Sequence, residues 1–127
     1  MSMRKNRLMG TAGALAVALG TLTILPIPTS AGDQLSAKAL EEGKKIAFSR
    51  KLGNCLACHH IDGGQAGGTI GPPLIAMQVR YPEKEKLRAQ IWDATIANPE
   101  SAMPPFGSHH IVSDKQMDKL VEFIWSL

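Results

Sequence analysis

Five residues constrain this chain more than any others. Cys55-Leu56-Ala57-Cys58-His59 sets two thiols three positions apart, with an imidazole directly after the second. C-x-x-C-H is the covalent attachment pattern of c-type haem. Each thiol adds to one vinyl group of the macrocycle, and the adjacent histidine is placed to ligate the iron. The chain has only 2 cysteines, so one haem c consumes both. A fold built on this motif must wrap a large, flat, apolar body, and it keeps no thiol for a disulfide or for sulfur chemistry.

Other uses of a cysteine pair fit less well. A zinc knuckle needs a second pair of ligands at metal spacing, and His109 and His110 are adjacent rather than three to five residues apart. A thioredoxin-like redox pair needs a βαβ setting, and no strand pattern is present. The motif also agrees with the start of the chain. Arg4, Lys5 and Arg7 precede an apolar stretch from Leu8 to about Leu25, and Thr29-Ser30-Ala31 supplies small residues for cleavage. This is the pattern of an export signal over residues 1–31, cleaved after Ala31, and it implies a periplasmic protein. The rival reading is a retained membrane anchor; Gly10, Gly20 and several threonines dilute the apolar run, so no stable anchor is expected. The arginines are separated, which points to the general secretory route rather than a twin-arginine one.

Removing 31 of the 127 residues leaves one domain of 96, residues 32–127. Three of the 14 Lys and Arg go with the leader, leaving 11 against 11 Asp and Glu. The mature chain is formally neutral, and with no basic stripe among aromatics it offers nothing to a nucleic acid. A chain this short buries a modest core, since a 60-residue domain hides only about 60% of its unfolded surface. A covalent haem would supply the missing apolar body, so the apoprotein is expected to be largely unfolded.

Three helical stretches alternate with Gly/Pro-rich loops, an all-α pattern. The first is predicted over Ser36 to Leu52, with Ser36 as cap and Ala39, Gly43, Ile46 and Ala47 on one face. Gly43 costs about 1 kcal/mol of helix propensity relative to alanine, which a close helix crossing would justify. Residues 62–73 hold five glycines and two prolines and read as a loop. Pro82 falls in the first turn of the second helix, Leu87, Ile91, Ala94 and Thr95 form its face, and Asn98-Pro99 stops it. Ser113 and Gln116 have capping-box spacing before the third, with Val112 and Met117 as a hydrophobic staple. Met117, Leu120, Val121, Ile124 and Trp125 then recur at i, i+3, i+4, i+7 and i+8 as a core stripe.

His59 is the proximal ligand by its place in the motif. A ligating imidazole commonly donates its other N–H to a carbonyl, and Gly71-Pro72-Pro73-Leu74 is a stiff source of one, Pro72 in particular. For the sixth position the candidates are Met77, Met103, Met117, His60, His109 and His110. His60 adjoins His59 and cannot reach the other haem face. Met117 belongs to the core stripe, and Met77 follows the proline loop closely enough to stay proximal or pack inward. Met103-Pro104-Pro105 lies in a stiff loop between helices and is the best-placed candidate, with His109 or His110 as the alternative. A Met/His pair raises the potential of a c-type haem and suits it to accept electrons.

Taken together, the glycine-bearing first helix, CxxCH, Gly-Pro-x-Leu loop, Met-Pro loop and aromatic last helix resemble the class I cytochrome c family. Gly43 and Cys55 stand further apart than in the mitochondrial-type members, so the first helix is expected to enter the motif differently. A narrower resemblance lies in Gly53-Asn54 before the motif, Gly68-Thr69-Ile70-Gly71-Pro72, Arg88-Ala89-Gln90-Ile91-Trp92-Asp93-Ala94 and Met103-Pro104-Pro105-Phe106-Gly107. These segments look like the SoxX family, the monohaem subunits of SoxAX thiosulfate-oxidising cytochromes. That resemblance implies an electron-transfer subunit of an L-cysteine S-thiosulfotransferase complex, not itself catalytic. Its partners would be a SoxA-like cytochrome subunit in a heterodimer, the SoxYZ carrier indirectly, and a downstream acceptor cytochrome. A free-standing carrier is the first alternative; a haem enzyme or gas sensor with a displaceable axial ligand is the second.

Overall fold

The computed structural model describes residues 31–127, so the expected export signal lies outside the described residues. Four α-helices follow in order: α1 (Ala31–Phe48), α2 (Met77–Arg80), α3 (Lys84–Trp92) and α4 (Asp114–Trp125). Two short 3₁₀ turns, Cys55–Ala57 and Ala94–Ile96, lie in the connections. There is no strand among the described residues, as the sequence pattern requires. No helix among them is long and apolar enough to cross a membrane.

The crossing of α1 and α4 organises the domain. Gly43 is buried on α1, and a Cβ there would stand 2.0 Å from the Lys119 carbonyl oxygen and 2.7 Å from Phe123 Cβ. Only a residue without a side chain lets the two backbones meet this closely, and that proximity offsets the poor helix propensity of glycine. Phe48 and Phe123 meet edge to face beside the crossing, centroids 6.0 Å apart. Glu42 and Lys119 form an ion pair across it.

α4 is built as its sequence reads. Ser113 Oγ accepts from the Gln116 amide, and Gln116 Oε1 accepts from the Ser113 amide at 2.9 Å, the reciprocal capping box. Val112 and Met117 are both buried, as a staple requires. Met117, Leu120, Val121 and Ile124 are buried, and Phe123 adds a further buried position facing α1. Each such side chain contributes about 1.5–3 kcal/mol relative to exposure. At the end of α4, Trp125 Nε1 donates to the Tyr81 carbonyl at 2.9 Å, while the Lys84 ammonium sits 4.5 Å from the indole ring. Lys84 also pairs with Glu122 at 2.7 Å, tying α3 to α4.

The boundaries of the first two expected helices depart from their sequence expectations at both ends. α1 is already helical at Ala31, the first described residue, so Ser36 is an interior residue rather than a cap, and it ends at Phe48 rather than Leu52. The Gly53 amide bonds the Ile46 carbonyl and the Asn54 amide bonds the Ser49 carbonyl, so the chain turns back instead of continuing the helix. The extra residues between Gly43 and Cys55 therefore form a turn. The second helix is shorter than expected and starts after Pro82: Glu83 is its N-cap, it ends at Trp92, and Ala94–Ile96 is a separate 3₁₀ turn capped by Asp93. The one-turn helix α2 carries too little periodicity to read from sequence.

Candidate functional site: a cavity walled by the Cys-x-x-Cys-His turn

Asn54, in the left-handed region at φ 47°, swings the chain into the 3₁₀ turn Cys55–Ala57. The His59 amide closes the turn onto the Cys55 carbonyl at 2.9 Å. Side chains at i and i+3 eclipse in a 3₁₀ turn, so the two-residue spacer brings both thiols to one side. Burial pushes the Cys55 thiol up to about 11. A free thiol held protonated in this way is a poor redox nucleophile, which argues against the thioredoxin reading. No cluster of three His, Cys, Asp or Glu suited to a metal ion exists among the described residues.

The glycine-rich loop folds back along the motif. Gly68 donates to the Leu56 carbonyl and Gly71 to the Cys58 carbonyl, both at 2.8 Å, and Leu74 donates to the His60 carbonyl at 2.9 Å. This lays Gly71 against the His59 ring, where a Cβ would come within 2.3 Å of Cε1. The next residue supplies the hydrogen bond: His59 Nδ1 lies 2.7 Å from the Pro72 carbonyl oxygen. A carbonyl can only accept, so Nδ1 carries the proton and the lone pair resides on Nε2, the tautomer an iron ligand needs.

Cys55, Cys58 and His59 line one cavity of about 790 Å³ together with Met103. Its apolar walls come from Leu74, Met77, Leu87, Ile91, Leu120 and Ile124, drawn from the proline loop and three helices. A space of this size, with two thiols at attachment spacing, an imidazole in the ligating tautomer and a thioether on its wall, fits the macrocycle that the motif calls for.

The other candidates are distributed as follows. Met103 is half-buried on the cavity wall. Met77 is buried and also lines it, with its sulfur 3.4 Å from Arg80 Nη1. Met117 is fully buried in the core and does not reach the cavity. His60, His109 and His110 are exposed and are absent from its lining. Sequence reasoning missed Arg80, whose Nη1 donates to the Pro73 carbonyl at 2.8 Å and which lines the cavity beside the Pro72 loop. It also missed Asp93, whose Asp-x-Thr pattern before the Met103 loop is a legible turn signal.

A family model described as cytochrome c matches residues 40–127. The chain belongs to the cytochrome c family. No curated protein matches it significantly. Membership means an all-α electron-transfer haem protein carrying one covalent haem c, with Cys55 and Cys58 as the attachment pair of its CxxCH motif.

Proposed function

We propose that this cytochrome c is the electron-accepting subunit of a SoxAX-type thiosulfate-oxidising complex in the periplasm. The observation that carries the reading is the cysteine inventory: both thiols of the chain belong to the attachment turn. Joining thiosulfate to a carrier cysteine forms one S–S bond, sheds the thiol proton and releases two electrons. A chain without a free thiolate cannot host that bond formation, but it can remove the electrons. The Trp92 helix and the Met103-Pro104-Pro105-Phe106-Gly107 loop, both similar to SoxX, support the assignment.

Bound haem supplies a reversible one-electron couple, so two turnovers of this subunit accompany each S–S bond. The protein's part is to present the residues that would hold the haem. His59 would offer Nε2 to the iron while the Pro72 carbonyl fixes its ring, and Met103 would offer a thioether, a pairing that raises the potential of a c-type haem toward an acceptor's range. Cavity walls built from Leu74, Leu87, Ile91, Leu120 and Ile124 keep water from the couple. Electrons then leave to a downstream cytochrome.

The test mixes the haem-loaded chain with a SoxA-like haem subunit, the SoxYZ carrier and thiosulfate. Expected are co-elution with the SoxA-like subunit and reduction of this chain's haem only when all components are present. A chain that neither binds that subunit nor is reduced with it is a free-standing carrier, and the proposal fails. The ligand assignment has its own check. The ferric native protein should show the methionine-to-iron charge-transfer band, and Met103→Ala should abolish it; an unchanged band overturns Met103 as ligand.

A further inference from the structure

We propose that Asp93 is a positioning residue that clasps both ends of the loop presenting Met103. The inference rests on Met103 being the sixth ligand. The loop from Asp93 to Ser108 is closed by a narrow neck. The Trp92 carbonyl accepts from the Gly107 amide at 3.0 Å and, more weakly, from the Ser108 amide at 3.4 Å. Asp93 Oδ2 accepts from Ser108 Oγ at 2.8 Å, and its Oδ1 accepts from Thr95 N at 3.0 Å and Thr95 Oγ1 at 2.5 Å. One carboxylate thus caps the turn that begins the loop and ties it to the residue that ends it. Gly107 packs against the Trp92 ring, where a Cβ would fall 2.1 Å from Cε3, so a side chain there would force the two segments of the neck apart.

Apart from Met103, which packs against the core, most of the loop is solvent-facing. Between the buried Ala94 and the buried Phe106, residues 96–100 are exposed, and so are Ala102 and Pro104 on either side of Met103. Inside the loop the Glu100 amide bonds Asn98 Oδ1 at 3.2 Å, and the Met103 amide bonds Ser101 Oγ at 3.3 Å. These bonds stiffen the loop internally; between Thr95 and Phe106 its hold on the domain is the packing of Met103 against the core and the Asn98 amide bond back to the Ala94 carbonyl at 3.0 Å. Segments with few buried apolar contacts open locally at low cost, so the neck sets how often Met103 swings off the cavity wall. Hydrogen bonds from Thr95, and then from Ser108, hold the Asp93 carboxyl below its ordinary 3.8, consistent with a clasp that works as the anion.

The test measures how fast imidazole, a small ligand that must displace Met103, binds the ferric haem-loaded protein. Asp93→Ala is expected to bind it about three- to tenfold faster, and Ser108→Ala, which removes only the tie across the neck, by a smaller factor. Hydrogen exchange of the Gly107 and Ser108 amides should accelerate in both. Ser113→Ala serves as control, since it weakens the α4 cap but should leave the imidazole rate unchanged. Met103→Ala separates the two levels of the argument. If it binds imidazole rapidly while Asp93→Ala and Ser108→Ala match the native rate, the clasp is refuted and the ligand assignment stands. If Met103→Ala itself matches the native rate, the ligand assignment falls and takes the clasp with it.

Discussion

Replacing Gly43 by alanine tests whether the α1–α4 crossing depends on the absence of a side chain there. The added Cβ would stand 2.0 Å from the Lys119 carbonyl oxygen, 2.8 Å from its carbonyl carbon and 2.7 Å from Phe123 Cβ. Non-bonded carbons sit at about 3.5–4.0 Å, so the helices must part by on the order of 1 Å or more. Two of these three obstacles are backbone atoms, which cannot rotate aside. Overpacking typically costs about 1–3 kcal/mol, and backbone obstacles place this site at the upper end. Against that, alanine returns about 1 kcal/mol of helix propensity. The net expectation is a loss of about 2 kcal/mol, or roughly 8–16 °C in midpoint at about 4–8 °C per kcal/mol for a domain of this size. Guanidinium and thermal unfolding of the ferric holoprotein, followed by far-UV circular dichroism, would measure it. A Gly43→Ala protein as stable as the native one would refute the close-crossing argument, because propensity alone predicts a gain.

Three further outcomes follow from the same geometry. Gly71→Ala would drive a Cβ to 2.3 Å from the His59 ring and strain its bond to the Pro72 carbonyl. It should shift the reduction potential and the ferric spectrum while far-UV circular dichroism stays native; an unmoved potential would show that Gly71 does not set the ring. The Lys119 ammonium, hydrogen-bonded to Glu42, holds the Glu42 carboxyl below its ordinary 4.5. Its contribution is therefore present above pH 4.5 and is lost as pH falls through the lower folded value. The stability gap between native and Glu42→Gln proteins should then close on acidification, and denaturant midpoints measured from about pH 7 to about pH 3 would reveal a gap that instead persists. Finally, Cys55→Ala with Cys58→Ala leaves a cavity of about 790 Å³ at the centre of a small core. That chain should be largely unfolded, and a native-like far-UV spectrum would contradict the role of haem as core.

The parts of this protein that were legible in sequence are those whose signals act over one turn of chain. The CxxCH motif places its groups within five residues, and its 3₁₀ turn follows from local hydrogen bonds. The α4 capping box and staple link Ser113 to Gln116 and Val112 to Met117, and they stand where the spacing puts them. The periodic stripe of α4 was equally readable, because one helical face reports its own burial. Helix ends were less legible. α1 stops at Phe48 because residues 49–54 bond back onto it, and nothing in the helical period of Arg50–Leu52 announces that turn.

Sequence by itself determined the cofactor, the helical class and the absence of any spare thiol, since these depend only on residue types and short spacings. Tertiary structure decided which groups meet. The Pro72 carbonyl reaches His59 across 13 positions, the Gly43 backbone meets Lys119 on another helix, and Asp93 closes on Ser108 across 15 positions. Contacts of that span are set by how helices cross and loops close: the sequence marks Gly43, Pro72 and Asp93 by their residue types, but their partners Lys119 and Ser108 carry no such mark. Met103 belongs to both worlds: its Pro-flanked loop is a local signal, and its place on the wall of the cavity shared with His59 exists only in the folded chain.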